Sequence, residues 1–116
     1  MSNQQMSADP IYSALESEPD LAEVVQMFVQ EMPARIENLL SRYAGGDWDG
    51  LAVAAHQVKG AAGSYGFSAI TPWAARVEKS ARAGRSSADL RAALDGLVAM
   101  CRRVSYGRPA SHNACR

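Results

Sequence analysis

Aromatic residues make up only 7% of this sequence, too few for the mixture of aromatic and β-branched side chains typical of sheets. Alanine, leucine, valine and methionine are plentiful among the 47% of hydrophobic residues, so local preference leans towards helix. The 116 residues suffice for one ordinary core and leave no room for a second catalytic domain. The composition therefore predicts one all-α domain.

Cysteine and long apolar runs are also scarce. Cys101 lies in an apolar helical pattern and Cys115 in a polar tail, which gives neither a disulfide framework nor a metal-ligand spacing. No segment approaches the ~20 continuous apolar residues of a membrane span, and MSNQQMSADP lacks the pattern of a signal peptide. We therefore expect a cytoplasmic protein with reduced thiols and no membrane contact.

The chain as a whole has no excess of positive or negative charge, but its first half is acidic and its second half is basic. The formal net charge is zero, with nine acidic and two basic residues up to residue 58, and ten basic and three acidic residues from Lys59 onward. A balanced total argues against general nucleic-acid binding. The basic second half favours an acidic partner.

Apolar residues recur every three or four positions through most of the chain and predict helices. A first helix over 18–31 should end or bend at Pro33, because Pro33 has no amide hydrogen to donate to Val29. Four main helices follow within about 33–104, separated by Gly45-Gly46, Gly66 and Gly84. Asp47 is placed to cap the second of these helices, and the last helix should begin near Ser86.

Short loops between amphipathic helices favour an antiparallel up-and-down four-helix bundle. We expect the additional N-terminal helix, 18–31, to pack across one end of this bundle. Residues 1–16 should be a mostly flexible segment in which Ile11, Tyr12 and Leu15 form at most a short packing turn. The helical domain should span 17–104, and 105–116 should be a flexible tail.

His56 is the candidate functional residue. On a helical wheel whose core direction is set by Leu51, Ala55 and Val58, the His56 side chain points away from the core. Four small or basic residues are expected on or beside the same outer sector: Ala52, Lys59, Gly60 and Gly63.

Glycine in a helix interior costs roughly 1 kcal/mol relative to alanine, so Gly60 and Gly63 on an exposed face suggest a functional reason. Without side chains there, another protein can bring its reactive group close to the imidazole. Lys59, three residues after His56, can reach over the same turn and neutralise a phosphoryl oxygen. A neutral imidazole nitrogen is a good nucleophile for phosphoryl carriage near neutral pH.

The stretch AHQVKGAAGSYGF, residues 55–67, resembles the signature of histidine phosphotransfer (HPt) domains. In that signature a histidine is followed at the third position by lysine, then by glycine, further glycines and an apolar residue. The matching positions are His56, Lys59, Gly60, Gly63, Gly66 and Phe67. Val77-Glu78, followed by Arg82 and Gly84, resembles a second family pattern, and the resemblance extends over about residues 18–104.

The resemblance implies a phosphocarrier without an ATP site of its own, in which His56 accepts the phosphoryl group and Lys59 stabilises its charge. Glu78 matches the acid that hydrogen-bonds the imidazole in the branch similar to the phosphorylated domain of chemotaxis kinases. Four residues would contact the partner: Ala52, Gly60, Gly63 and Phe67. The implied partners of this monomer are the receiver domain of a response regulator and a hybrid histidine kinase. Mg²⁺ is expected on the receiver, and no cofactor on this chain.

Alternative interpretations remain open from sequence. Glu78 can instead pair with Arg82 at i+4, a surface interaction of only ~0.3–0.5 kcal/mol. The chain is alternatively a phosphoryl-accepting domain cut from a hybrid or chemotaxis-type kinase, or a helical adaptor that carries no phosphate. A kinase dimerisation helix is disfavoured because Gln57 occupies the position of its acidic base. A metal site is poorly supported because the only other histidine is His112 in the tail.

Overall fold

The computed structural model describes residues 9–107 and is predominantly helical, as expected. Its elements, in chain order, are β1 (Ile11–Tyr12), α1 (Ala22–Ala44), α2 (Trp48–Ser64), α3 (Thr71–Ala81), α4 (Ala88–Cys101) and β2 (Val104–Ser105). Among these helices none is both long and apolar enough to cross a membrane, a search confined to residues 9–107. The terminal parts predicted to be flexible, 1–8 and 108–116, lie outside the described residues.

The core is formed by one buried face from each of the four helices. α2 packs against α3 and α1, and α4 packs against α3 and α1. The largest fully buried side chains come from all four helices and from the loop between α2 and α3, and include Phe28, Met32, Leu39, Leu51, Phe67, Ile70, Leu90, Leu94 and Leu97. α2 is thereby held on two sides, and its remaining face is turned to solvent.

The expectation of a separate N-terminal helix is corrected by the structure, in which residues 22–44 form one helix that continues through Pro33. Proline in a helix interior costs about 3 kcal/mol. Phe28 and Met32 before it and Ile36 and Leu39 after it are nevertheless all buried on one face. Burial of this continuous face offsets the missing hydrogen bond, because packing supplies most helical stability in proteins.

Side-chain caps define the starts of α2 and α4. The Asp47 carboxylate accepts a hydrogen bond from the Gly50 backbone N–H at 3.0 Å, which confirms the predicted cap. The Ser87 hydroxyl accepts one from the Leu90 N–H at 3.0 Å, so the cap of α4 is one residue later than Ser86. These caps set the register of both helices.

The segment before α1 contacts the helical domain, although the sequence assigns residues up to 16 to a mostly flexible segment. β1 pairs in parallel with β2, with Ile11 opposite Val104. Ile11 and Leu15 pack against the core, and burial of these apolar side chains favours this contact. At the other end α4 finishes at Cys101, so the last helix does not extend to Val104 as expected.

Gly66 ends α2 and also receives the N-terminal segment. Its φ of +86° lies in the left-handed region that favours glycine. A Cβ at this position would lie 3.0 Å from the backbone nitrogens of Ala14 and Leu15 and would overlap the Ser13 hydroxyl. Ser13 is buried and donates a 2.5 Å hydrogen bond to the Tyr65 carbonyl. The predicted helix stop is thus confirmed, and it carries a tertiary contact as well.

Candidate functional site

His56 lies in the middle of α2 with its side chain 62% exposed. Its placement follows from the opposite face of the helix, where the predicted core residues are buried: Leu51, Ala55, Val58 and Ala62. The imidazole is therefore presented to solvent by a rigid element packed on two neighbouring helices.

Gly60 and Gly63 leave open space on the same face. A Cβ at Gly60 would have no heavy atom of the described residues within 4 Å, apart from its own helix and chain neighbours. A Cβ at Gly63 would meet only the Thr71 hydroxyl, at 3.9 Å. No packing requirement in residues 9–107 therefore explains glycine at either position. The predicted accessibility of both glycines is confirmed.

Ala52 does not belong to this exposed face, contrary to the sequence-based expectation. It is 2% exposed and belongs to the hydrophobic core, since α2 packs against both α3 and α1. Val53, one residue later, is 53% exposed and is the apolar side chain available beside His56. The helical wheel gives the correct core direction. The buried part of α2 is nevertheless wider than a single stripe, because α2 packs against two helices. Ala52 is thus not a docking residue.

Phe67 is likewise unavailable to a partner. It is 1% exposed, and its ring stacks on Phe28 with centroids 5.2 Å apart. Tyr65 also contacts the Phe28 ring, at a centroid distance of 5.7 Å. Phe67 therefore packs in the core between the end of α2 and α1.

Glu78, on α3, connects the two sides of the site. Its side chain is 12% exposed, and its carboxylate contacts three donors. Oε2 lies 3.1 Å from Nδ1 of His56 and 2.7 Å from Nη2 of Arg82, and Oε1 lies 2.7 Å from Nζ of Lys59. The hydrogen bond to the imidazole and the pairing with Arg82, which the sequence presented as alternatives, are made by the same carboxylate.

These contacts keep Glu78 ionised. Hydrogen bonds from Arg82, Lys59 and His56 outweigh partial burial and lower the pKa of Glu78 from 4.5 to about 2. An ionised carboxylate only accepts hydrogen bonds, so Nδ1 of His56 is the nitrogen that carries a hydrogen. In the neutral ring the other nitrogen, Nε2, then carries the free lone pair.

The lowered pKa of Glu78 predicts a contribution to acid unfolding. A carboxylate with a folded pKa below its unfolded value stabilises the fold above the unfolded pKa and loses that contribution as pH falls through the folded one. Between pH 4.5 and about 2, the free energy of unfolding should therefore fall more steeply in the wild type than in Glu78→Gln. Urea titrations across this range measure both slopes. Glu37→Gln, at an exposed acid of α1, is the matched control, and equal slopes for wild type and Glu78→Gln would contradict the network.

Lys59 is placed at the site but is already engaged. The sequence predicts that its charge reaches over His56, whereas in the structure its ammonium contacts Glu78 and its side chain is 32% exposed. Lys59 lies one turn after His56 on α2, but its ammonium is turned towards Glu78 on α3. Arg76 and Lys79 add further exposed positive charge on α3, with Arg76 placed over the Trp73 ring at 4.7 Å.

A metal site is a separate question, because carboxylates and imidazole are common ligands. Within residues 9–107 no group of three or more His, Cys, Asp or Glu side chains is placed to hold an ion. The carboxylate nearest His56 is occupied by two cationic side chains instead.

A predominantly helical domain with an exposed histidine, an ionised carboxylate at its Nδ1 and open glycines beside it belongs to the class of helical modules that display a solvent-exposed imidazole. The sequence matches the Hpt domain family over residues 23–106, and this chain is a member of that family of histidine phosphotransfer domains. No curated protein and no solved structure matched the chain. Hpt domains are phosphocarrier modules of two-component phosphorelays rather than classical enzymes.

Proposed function

We propose that this protein accepts a phosphoryl group on Nε2 of His56 and transfers it to or from the aspartate of a response-regulator receiver domain. The observation that carries the proposal is the pairing of Nδ1 with Glu78, together with the exposure of the ring. This pairing selects the tautomer in which the outward nitrogen is the nucleophile. Membership of the Hpt family supports the same chemistry.

The transfer step balances without a proton leaving the ring. The Nε2 lone pair attacks phosphorus, the bond from phosphorus to the aspartyl oxygen breaks, and that carboxylate leaves with the electron pair. The imidazole then carries positive charge while Nδ1 keeps its hydrogen. Because the Glu78 carboxylate faces Nδ1, it stabilises this charge and so favours the phosphorylated state of His56.

The partner we propose docks on the face formed by Val53, His56, Gly60 and Gly63. Ala52 and Phe67, which the sequence places in the docking surface, are buried and are left out. A receiver brings an acidic pocket, and the positive charges of Lys59, Arg76, Lys79 and Arg82 are complementary to it. Mg²⁺ bound by the receiver would supply most of the remaining charge stabilisation, since phosphoryl transfer depends largely on positioning and electrostatics. A hybrid histidine kinase would supply the phosphoryl group to the relay.

The finer architecture belongs to the proposal as well. An antiparallel up-and-down bundle is supported by contacts of Tyr43, at the end of α1, with Ser86 and Arg91, at and near the start of α4. We propose that residues 17–104 form the domain, to which 9–16 add β1. We also propose that the protein acts as a monomer in the cytoplasm.

Lys59 should contribute directly to transfer. When His56 is phosphorylated, its ammonium can exchange one Glu78 oxygen for a phosphoryl oxygen within the same turn of α2. Lys59→Ala should slow transfer by about tenfold, the scale of one charge-assisted hydrogen bond of about 1.5–3 kcal/mol partly lost to screening. Stopped-flow or quenched transfer from a phosphorylated receiver measures the rate. Lys79→Ala removes the same charge from an exposed position on α3, and an equal effect of both variants would contradict a local role for Lys59.

A phosphorylated receiver distinguishes this carrier from the non-phosphorylated adaptor. Incubation of the chain with an excess of phosphorylated receiver should move phosphate into a form that is labile in acid and stable in base, as phosphohistidine is. A stable complex without transfer would support the adaptor instead. The possibility that the domain is a piece of a hybrid or chemotaxis-type kinase shares the same chemistry at His56 and differs only in what is attached to the chain.

A further inference from the structure

Arg82 lies beside the site without contacting the imidazole. It is the C-cap residue of α3, one turn after Glu78, and its guanidinium contacts the Glu78 carboxylate while 59% of its side chain remains exposed. Arg82 and His56 contact the same oxygen, Oε2, at 2.7 and 3.1 Å. The hydrogen bond that orients the imidazole therefore depends on an oxygen whose shorter contact is with Arg82.

The two cationic contacts hold the carboxylate from different directions. Lys59 reaches Oε1 from α2, and Arg82 reaches Oε2 from the C-terminal end of α3. With Lys59 alone, the carboxylate could rotate about its terminal torsion to place either oxygen, or both, towards the ammonium, because that torsion is broad in glutamate. With Arg82 present, Oε2 is fixed on the side that faces Nδ1.

We infer that Arg82 is a positioning residue for phosphoryl transfer: it fixes Oε2 of Glu78 opposite Nδ1 of His56 and so keeps Nε2 as the free, outward nucleophile. This inference rests on the function proposed above and adds a residue to it. Arg82 acts through Glu78 and makes no contact with the reacting atoms. A plain surface ion pair at i+4 would leave the imidazole tautomer unchanged, and that difference makes the role testable.

The test is the tautomer of His56 in the unphosphorylated protein, read from its ring ¹⁵N chemical shifts at a pH where the ring is neutral. A His112→Gln background leaves a single histidine signal. In this background the Nδ1–H tautomer should dominate, and Arg82→Ala should shift the signals towards a mixture with the Nε2–H tautomer. Arg82→Lys, which keeps a cationic donor, should restore most of the original signal.

Transfer rates complete the test. Arg82→Ala should slow transfer from a phosphorylated receiver by about threefold to tenfold, the scale of losing one charge-assisted contact at a half-exposed site. Arg82→Lys should recover most of the rate. Arg85→Ala is the matched control, because it removes the same charge from an exposed neighbouring position that makes no contact with Glu78.

An unchanged tautomer in Arg82→Ala would overturn the inference, even with normal transfer in the wild type. An equal slowing in Arg85→Ala would also overturn it, because it would assign the effect to the general field. A wild-type protein that acquires no phosphate would contradict the proposed function first, while the tautomer measurement would still report whether Arg82 positions Glu78. Thermal melts identify any variant that fails to fold, and Arg82→Lys then carries the comparison.

Discussion

His56→Gln should abolish phosphoryl uptake while leaving the fold intact. The side chain is largely exposed, so its packing contribution is small, and the glutamine amide can still donate a hydrogen bond to Glu78. The free energy of unfolding should remain within about 0.5 kcal/mol of the wild type. Glutamine has no nucleophilic ring nitrogen, so the variant should acquire no acid-labile, base-stable phosphate from a phosphorylated receiver.

The control for this variant is His112→Gln, the same substitution at the other histidine of the chain. It should take up phosphate at the wild-type rate and to the wild-type extent. Uptake by His56→Gln would place the acceptor elsewhere and contradict the proposal. A large loss of stability in His56→Gln would instead show that the imidazole supports the fold.

Gly63→Gln should have the second largest effect, because structural and functional considerations there point in opposite directions. The position is in the last turn of α2, one residue before the end of the helix, and an added Cβ meets only the Thr71 hydroxyl at ordinary contact distance. Replacing this helical glycine should therefore stabilise the fold, by at most about 0.5–1 kcal/mol, the value for a helix interior. The longer side chain would project into the face beside His56, about 10 Å along the helix, and should sharply reduce transfer from a receiver.

Three comparisons isolate this obstruction. Gly63→Ala should raise the melting temperature and keep most of the transfer rate. Ala99→Gln adds the same side chain at an exposed position of α4, which packs on α3 and α1, and should leave transfer unchanged. Labelling of Gly63→Gln by a small phosphoramidate should be reduced far less than transfer from the receiver. Unchanged receiver transfer in Gly63→Gln would show that the partner docks elsewhere.

The exposed histidine and its open surroundings could be predicted from sequence because they depend on one helix. A helical period fixes which residues share a face, and the apolar stripe of α2 fixes which face is buried. The width of the buried arc depends on how many neighbours the helix has, which periodicity along one segment does not contain. For that reason the sequence places Ala52 on the exposed face although it is buried, since a small residue permits either exposure or close packing.

The contacts of Glu78 depend on the register between two helices. Sequence spacing predicts its pairing with Arg82, because the two residues are four apart at the end of α3. That the same carboxylate also reaches His56 and Lys59 requires α3 to lie alongside α2 at one particular height. This height follows from packing between the two helices, which the spacing along one helix does not contain. The Trp73 ring likewise occupies the place of a Cβ at Gly96, a contact that positions α3 against α4. The resemblance to HPt domains named Glu78, and only the structure links all three donors.

Continuity of α1 through Pro33 is a second case in which tertiary structure overrides a local rule. The missing amide hydrogen is a property of residue 33 alone and favours a break. Burial of Met32 and Ile36 on one face favours continuation. The missing hydrogen bond of Pro33 can be read from the sequence, whereas the burial of Met32 and Ile36 depends on the surface on which the helix packs.

The most direct test of the central claim is to locate the phosphoryl group on the wild-type protein. The chain would be incubated with a phosphorylated receiver and Mg²⁺, kept at alkaline pH, digested and fragmented in a mass spectrometer under conditions that retain phosphohistidine. The account predicts a single phosphoryl group, carried by His56. Phosphate on His112 or on an acidic residue, or no phosphate at all, would contradict it.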